Sequence, residues 1–154
     1  MVKIYCSYGD DPAPEGFEKR KPHEWDGIPS GEVDEITLMG VYEKEENPKL
    51  LMSAVHGLLR PGGKCTVISP YYASSDAWLH PDNIRGVSEL SLNWTNRAFR
   101  ENAKWSNFPD INFEVSIGFG FDPAWNLKSD DARNLALTRN INVAKTIHII
   151  LVKK

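Results

Sequence analysis

Cysteine is scarce in this chain of 154 residues: there are two, Cys6 and Cys65, each inside a strand-like apolar run. Thiols so placed exclude a disulfide scaffold and read as buried groups of a protein kept in a reducing cytosol. Histidine is almost as thin, and His23, His56, His80 and His148 are scattered, so no His/Cys set has the spacing of a metal site. No apolar run approaches the roughly 18 residues that span a bilayer. The amino-terminal MVKIYCSYGDD has one lysine and no long apolar core, and it does not read as a secretory signal. Charge of one sign is not in excess either. The 18 basic and 21 acidic residues leave a net charge of −3, which gives no general attraction to nucleic acid or to an anionic membrane. What is left is an ordinary globular composition, 41% apolar and 25% charged, over a length that suits one domain with a real core.

The stretch from Val33 to Ser75 organises the rest. Val33 to Gly40 is an apolar run that reads as a buried strand. Asn47 and Pro48 form a helix start, because an Asn side chain caps free backbone N–H groups and Pro tolerates the first helical position. Leu50, Leu51, Ala54, Val55, Leu58 and Leu59 recur at helical spacing and place one apolar stripe on that helix. Pro61-Gly62-Gly63 ends it, and Cys65 to Ser69 is a second short strand. Strand, helix and strand with short joints predict a parallel pair with a right-handed crossover.

The same stretch resembles a known family. VDEI, then GVYEK, NPKLLMSAVHGLLRPGGK and VISP, is similar to the fourth strand, following helix and fifth strand of the class I S-adenosylmethionine-dependent methyltransferases. Their usual pattern is a VDxI strand, an LEH-like turn, an amphipathic helix and LKPGG. The resemblance implies an α/β, Rossmann-like methyltransferase fold with a mostly parallel sheet and an antiparallel C-terminal pair, residues 1–154 forming a single methyltransferase-like domain.

Around that unit, Val2 to Tyr8 alternates like a half-buried strand, with Val2, Ile4, Cys6 and Tyr8 on one side. Residues 9–32 carry Pro at 12, 14, 22 and 29 and Gly at 9, 16, 27 and 31, which forbids a helix of normal length and predicts a long loop. Residues 71–85 read as loop with a turn of helix, and 88–105 as a second helix. Phe113 to Phe121 alternates throughout as a strand. Ser129-Asp130-Asp131 opens a third helix to about Arg139, and Lys145 to Val152 is a central strand. A complete domain of the family has two more strands and two helices between the first strand and VDEI. Each crossover with its helix takes at least about 10 residues, so the proline-broken loop cannot hold them. The expectation is a reduced form lacking strands two and three, with about five strands in the order 1-4-5-7-6.

In the family the first strand ends in a Gly-rich turn that approaches the methionine part of S-adenosylmethionine, and an acid at the end of strand two grips the ribose. Here the turn is Ser7-Tyr8-Gly9-Asp10-Asp11, with one glycine, and the ribose acid falls in the missing part; Glu24 and Asp26 on the loop are the nearest substitutes. The resemblance implies Ser7, Tyr8, Gly9, Asp10, Met39, Gly40, Glu43 and Tyr71 as the cofactor-binding set. It implies His80, Asp82 and Arg85, after the fifth strand, as the reacting set. A histidine takes a proton from a nucleophile and an arginine holds an anion. Each has a plainer reading beside it: a polar turn closing a strand for 9–11, a solvated helix approach for Glu43, an ordered loop for 80–85, and core for Tyr71, Tyr72 and Trp78.

Two functions follow. One is a reduced S-adenosylmethionine-dependent methyltransferase with a weakened or lost cofactor site and an unknown substrate. The other is a non-catalytic binding or assembly protein that kept the fold. Such a compact form suits a small genome such as a virus. With strands two and three gone, the first strand has a free edge, and a homodimer paired through that edge is expected.

Overall fold

The structure, a computed structural model, describes residues 1–154. It builds six strands: β1 (Val2–Ser7), β2 (Glu18–Lys19), β3 (Val33–Met39), β4 (Leu59–Pro70), β5 (Phe113–Phe121) and β6 (Ala144–Lys153). Four helices join them: α1 (Pro48–Leu58), α2 (Asp76–Leu79), α3 (Arg97–Asn102) and α4 (Asp130–Leu137). The sheet order is β2-β1-β3-β4-β6-β5. β1, β2, β3 and β4 run parallel, while β6 lies antiparallel to both β4 and β5. From β1 onward this is the expected 1-4-5-7-6 order. No helix is long and apolar enough to cross a membrane.

The central unit forms for the reasons its residues suggest. Asn47 Oδ1 accepts from Leu50 N at 3.1 Å at the start of α1. Leu51, Met52, Val55 and Leu58 are buried against the sheet, each worth about 1.5–3 kcal/mol when fully covered. Pro61-Gly62-Gly63 differs from expectation. α1 already ends at Leu58, and the tripeptide lies inside β4, where the register slips between Val33/Leu59 and Glu35/Lys64. A Cβ at Gly63 would come within 2.9 Å of the Arg60 carbonyl and 3.1 Å of the Val33 carbonyl, so the bulge needs glycine there.

One face of the sheet is the core. Rows such as Ile4-Ile36-Cys65-Leu151 and Cys6-Leu38-Val67-Ile149 cross four strands and are fully buried. Burial pushes the Cys6 thiol up to about 12 and the Cys65 thiol higher still, which keeps both in the thiol form. The opposite face stays partly open, with Thr37, Thr66 and Ile150 half-exposed. On it Glu35 lies between Lys3 (3.1 Å) and Lys64 (2.9 Å) on the neighbouring strands. Partial burial pushes the Glu35 carboxyl up, but the hydrogen bonds and charge of the two lysines outweigh it and hold it below the usual range.

Three expectations need correction. The sheet has six strands rather than about five, because the loop 9–32 adds β2, which pairs with Ile4 and Tyr5, and Arg20 N donates to Tyr5 O at 2.9 Å. The first strand is therefore covered at its middle, on the side where a free edge is expected. Second, β1 is more buried than its alternation implies, because Tyr5 and Ser7 on the open face are only 5% and 3% exposed, under Asp11. Third, the helix expected over 88–105 shrinks to a turn at Asn93–Thr95 and the six-residue α3. Asn96 caps α3 by accepting from Phe99 N, and Lys104 ends it with φ of 56°, so Asn side chains and a left-handed residue break the run. The loop does return to the core through Trp25 and Ile28, and Gly31 N donates to Gly57 O of α1 at 2.9 Å.

Candidate functional site

Open parallel sheets bind ligands beyond the carboxyl ends of their strands, and β1, β3 and β4 end side by side here. A cleft of about 310 Å³ lies over those ends. Ser7, Gly9 and Asp11 line it from β1, Met39, Gly40, Glu43 and Lys44 from β3, Ile68, Ser69 and Pro70 from β4, and Thr146 from β6. A second cleft of about 470 Å³ shares Gly9 and Lys44 and adds Tyr8, His80 and Asp82.

The turn after β1 closes on itself. Asp11 turns back to accept from Ser7 Oγ at 2.8 Å and from Tyr5 OH. Those two hydrogen bonds hold its carboxyl below the usual range, while burial and the carboxylate push the Tyr5 phenol up to about 12. A Cβ at Gly9 would stand 2.6 Å from Asp11 Oδ1, which is why the one glycine of this turn sits where it does. Lys19 Nζ pins the turn through the carbonyls of Gly9 (2.7 Å) and Asp11 (2.6 Å).

Glu43 is the buried charge of the site, 3% exposed, on a three-residue turn after β3. Gly40, with φ of 64°, reverses the chain so that this turn folds over the strand ends. Glu43 Oε2 accepts from Ser69 Oγ at 2.7 Å. The backbone carbonyl of Glu43 accepts from Ile84 N at 2.9 Å and Arg85 N at 3.3 Å, which brings the 80–85 segment to the cleft.

Of the expected cofactor set, Ser7, Tyr8, Gly9, Met39, Gly40 and Glu43 line the two clefts, and Asp10 and Tyr71 do not. Tyr71 is 2% exposed, donates to Glu89 Oε1 at 2.7 Å and packs edge-on against Tyr72 and Phe119, the core reading. Of the reacting set, His80 and Asp82 line the second cleft. Arg85 braces instead: its Nη1 donates to Tyr42 O at 2.7 Å and its guanidinium lies over the Tyr42 ring. Asp82 N donates to His80 Nδ1 at 3.2 Å. A neutral ring so held carries its proton on Nε2, so a proton-accepting role requires that contact to open. Lys44, Ser69 and Thr146 join the site without a strong sequence signal. Glu24 and Asp26 do not reach either cleft; Glu24 accepts from Lys21 N at 2.7 Å.

The architecture matches a known set of folds. A methyltransferase dependent on S-adenosylmethionine from Archaeoglobus fulgidus superposes with a TM-score of 0.63 at 16% identity, over 97% of this chain and 75% of that one. The fold is that of the class I methyltransferases. A second such enzyme, from Thermotoga maritima, gives 0.50 at 14% identity over 90% and 63% of the two chains. The [4+2]-cyclase SpnF gives 0.52 at 13% identity over 89% and 55%. The chain thus spans three quarters of the first of these and less than two thirds of the other two. No sequence-family model matches it, and no curated protein matches it in sequence.

Proposed function

We propose that the chain is a reduced S-adenosylmethionine-dependent methyltransferase-like protein that keeps the amino-acid end of the cofactor site and lacks the ribose grip. The supporting observation is the cleft over β1, β3 and β4, with Glu43, a residue only 3% exposed, beside Lys44. Glu43 suits an ammonium group and Lys44 a carboxylate, whereas Asp11, the other acid of that cleft, is engaged by Tyr5 and Ser7. When bound, the cofactor supplies an electrophilic methyl group. The protein's part is to hold it beside the second cleft, where His80 and Asp82 flank the acceptor side.

Calorimetry with S-adenosylmethionine and S-adenosylhomocysteine tests this reading. One lost charge-assisted hydrogen bond costs about 1.5–3 kcal/mol, so a dissociation constant weaker than ~100 μM is expected. Submicromolar binding would restore a full nucleoside grip and overturn the reduction. The second reading, a non-catalytic binding protein, is favoured by the Asp82 N–H that occupies His80 Nδ1, and it gains if S-adenosylmethionine binds while a panel of acceptors shows no turnover.

A further inference from the structure

We propose that the pocket between Tyr72, Trp78 and Glu89 is a separate binding site, one that takes an arginine side chain of an extended peptide. The inference does not depend on S-adenosylmethionine, because none of these residues lines the two clefts over the strand ends.

Tyr72 and Trp78 follow β4 and read as core in the sequence, yet they are 45% and 63% exposed. Trp78 is open to solvent but fixed in place. Its Nε1 donates to the Tyr72 carbonyl at 3.0 Å, and a Cβ at Gly86 would come within 3.2 Å of its Cζ2. The indole edge thus rests against bare backbone, and with its N–H spent, what Trp78 offers a ligand is its π face. Together with Gly86, Ser88, Glu89 and Leu90 the two rings line a pocket of about 420 Å³. Glu89 supplies the charge. Its Oε1 accepts from Tyr71 OH at 2.7 Å, and no basic side chain of the protein pairs with the carboxylate. Four rings elsewhere lie under the chain's own cations: Phe17 under Lys3, Tyr42 under Arg85, Phe108 under Lys49 and Phe121 under Arg133. Tyr72 and Trp78 have none, so two open rings and an unpaired carboxylate share one pocket. A guanidinium fits this set, being planar and weakly hydrated, able to stack on indole and to donate to a carboxylate. Across the same two rings lies an apolar hollow of about 140 Å³ that reaches Ala73 and Ile141. Hollows on both sides of an exposed ridge suit a chain laid across it, with arginine on one side and an apolar residue on the other. A small ligand is instead taken by a pocket that encloses most of it.

NMR titration of the intact, isotope-labelled chain tests the site, with a blocked pentapeptide whose central arginine is flanked by alanine and valine. The Trp78 indole signal and the Gly86 to Leu90 amide signals should move together, with millimolar binding or tighter. The citrulline counterpart keeps the shape and loses the charge, and it should bind at least about fivefold more weakly. Glu89→Gln keeps an acceptor for Tyr71 and should weaken the arginine peptide about two- to fivefold. Trp78→Leu, read on the amide signals, should weaken it about threefold or more. Both substitutions lie outside the core, and if either variant fails to fold, the arginine–citrulline comparison on the wild-type chain carries the test. Equal binding of the two peptides, or binding that Trp78→Leu leaves intact, overturns the inference. So does the absence of any shift at ~10 mM peptide. Tighter binding of free L-arginine or of adenosine than of the peptide would assign the rings to a small ligand and overturn it as well.

Discussion

Ser69 donates its hydroxyl to Glu43 Oε2 at 2.7 Å, across the carboxyl ends of β4 and β3. Through its carbonyl the same Glu43 holds the 80–85 segment. One residue thus joins two strand ends and the loop that carries His80 and Asp82, so the shape of both clefts depends on it.

Ser69→Ala removes the donor from a buried carboxylate. Hydrogen bonds to charged groups are worth about 1.5–3 kcal/mol, and a loss of that order is expected in urea unfolding. A change under about 0.5 kcal/mol, the usual scatter of surface substitutions, would show that water replaces the hydroxyl without cost.

The Tyr5–Asp11 pair should set two pH limits. The Tyr5 phenol is raised in the folded chain, first by burial and then by Asp11, so its contribution is full below the ordinary tyrosine pKa of about 10. That contribution fades as pH rises toward the folded value of about 12. Asp11 is lowered, so its contribution is present above the ordinary carboxylate pKa of about 3.9 and is lost as pH falls through the folded value. Phenolate absorbance checks the alkaline limb. The group that disappears in Tyr5→Phe should titrate near 12 in the wild type and lower in Asp11→Asn. An unchanged midpoint in Asp11→Asn would mean that burial alone raises it.

Trp25 is the anchor of the segment between β2 and β3, 7% exposed in the core cluster. Truncation of a core aromatic to alanine costs about 3–5 kcal/mol, and Trp25→Ala should also free residues 20–32 for cleavage. Limited proteolysis should leave that segment uncut in the wild type and nick it first in the variant. Rapid cutting of the wild type there would show that the tryptophan does not hold it.

The residues differ in how far they announced their places. β3, α1 and β4 were legible because a cap, an apolar stripe and two short apolar runs agree on one local outcome. β2 was not, since two residues pair with β1 only because Trp25 and Lys19 hold the loop against it. At the site, Ser7, Met39 and Gly40 followed from their position at strand ends, which topology alone supplies. Arg85 and Tyr71 have the chemistry of active-site residues but spend it on a backbone carbonyl and on Glu89. Those partners lie far along the chain, and no spacing reveals them. Thr146 reaches the cleft only because β6 lies beside β4.

Self-association through the first-strand edge depends on β2. That edge is the one a dimer about a two-fold axis would use, but Ile4 and Tyr5 are already paired with Glu18 and Lys19. Arg20 N also takes the Tyr5 carbonyl. A second copy has to displace this pairing before it meets more than the ends of β1. The wild-type chain is therefore expected to run as a monomer at ~100 μM, well above the micromolar affinities of many specific pairs. Arg20→Pro removes the N–H that closes the edge and loosens β2, exposing unpaired groups on β1 that proteins normally cover. Light scattering across a concentration series should then show dimer growing in Arg20→Pro, and Ile4→Pro added to it should abolish the dimer. A wild-type dimer that survives Ile4→Pro would place the interface elsewhere. A wild-type dimer that Ile4→Pro dissociates would show that β2 gives way to a partner strand.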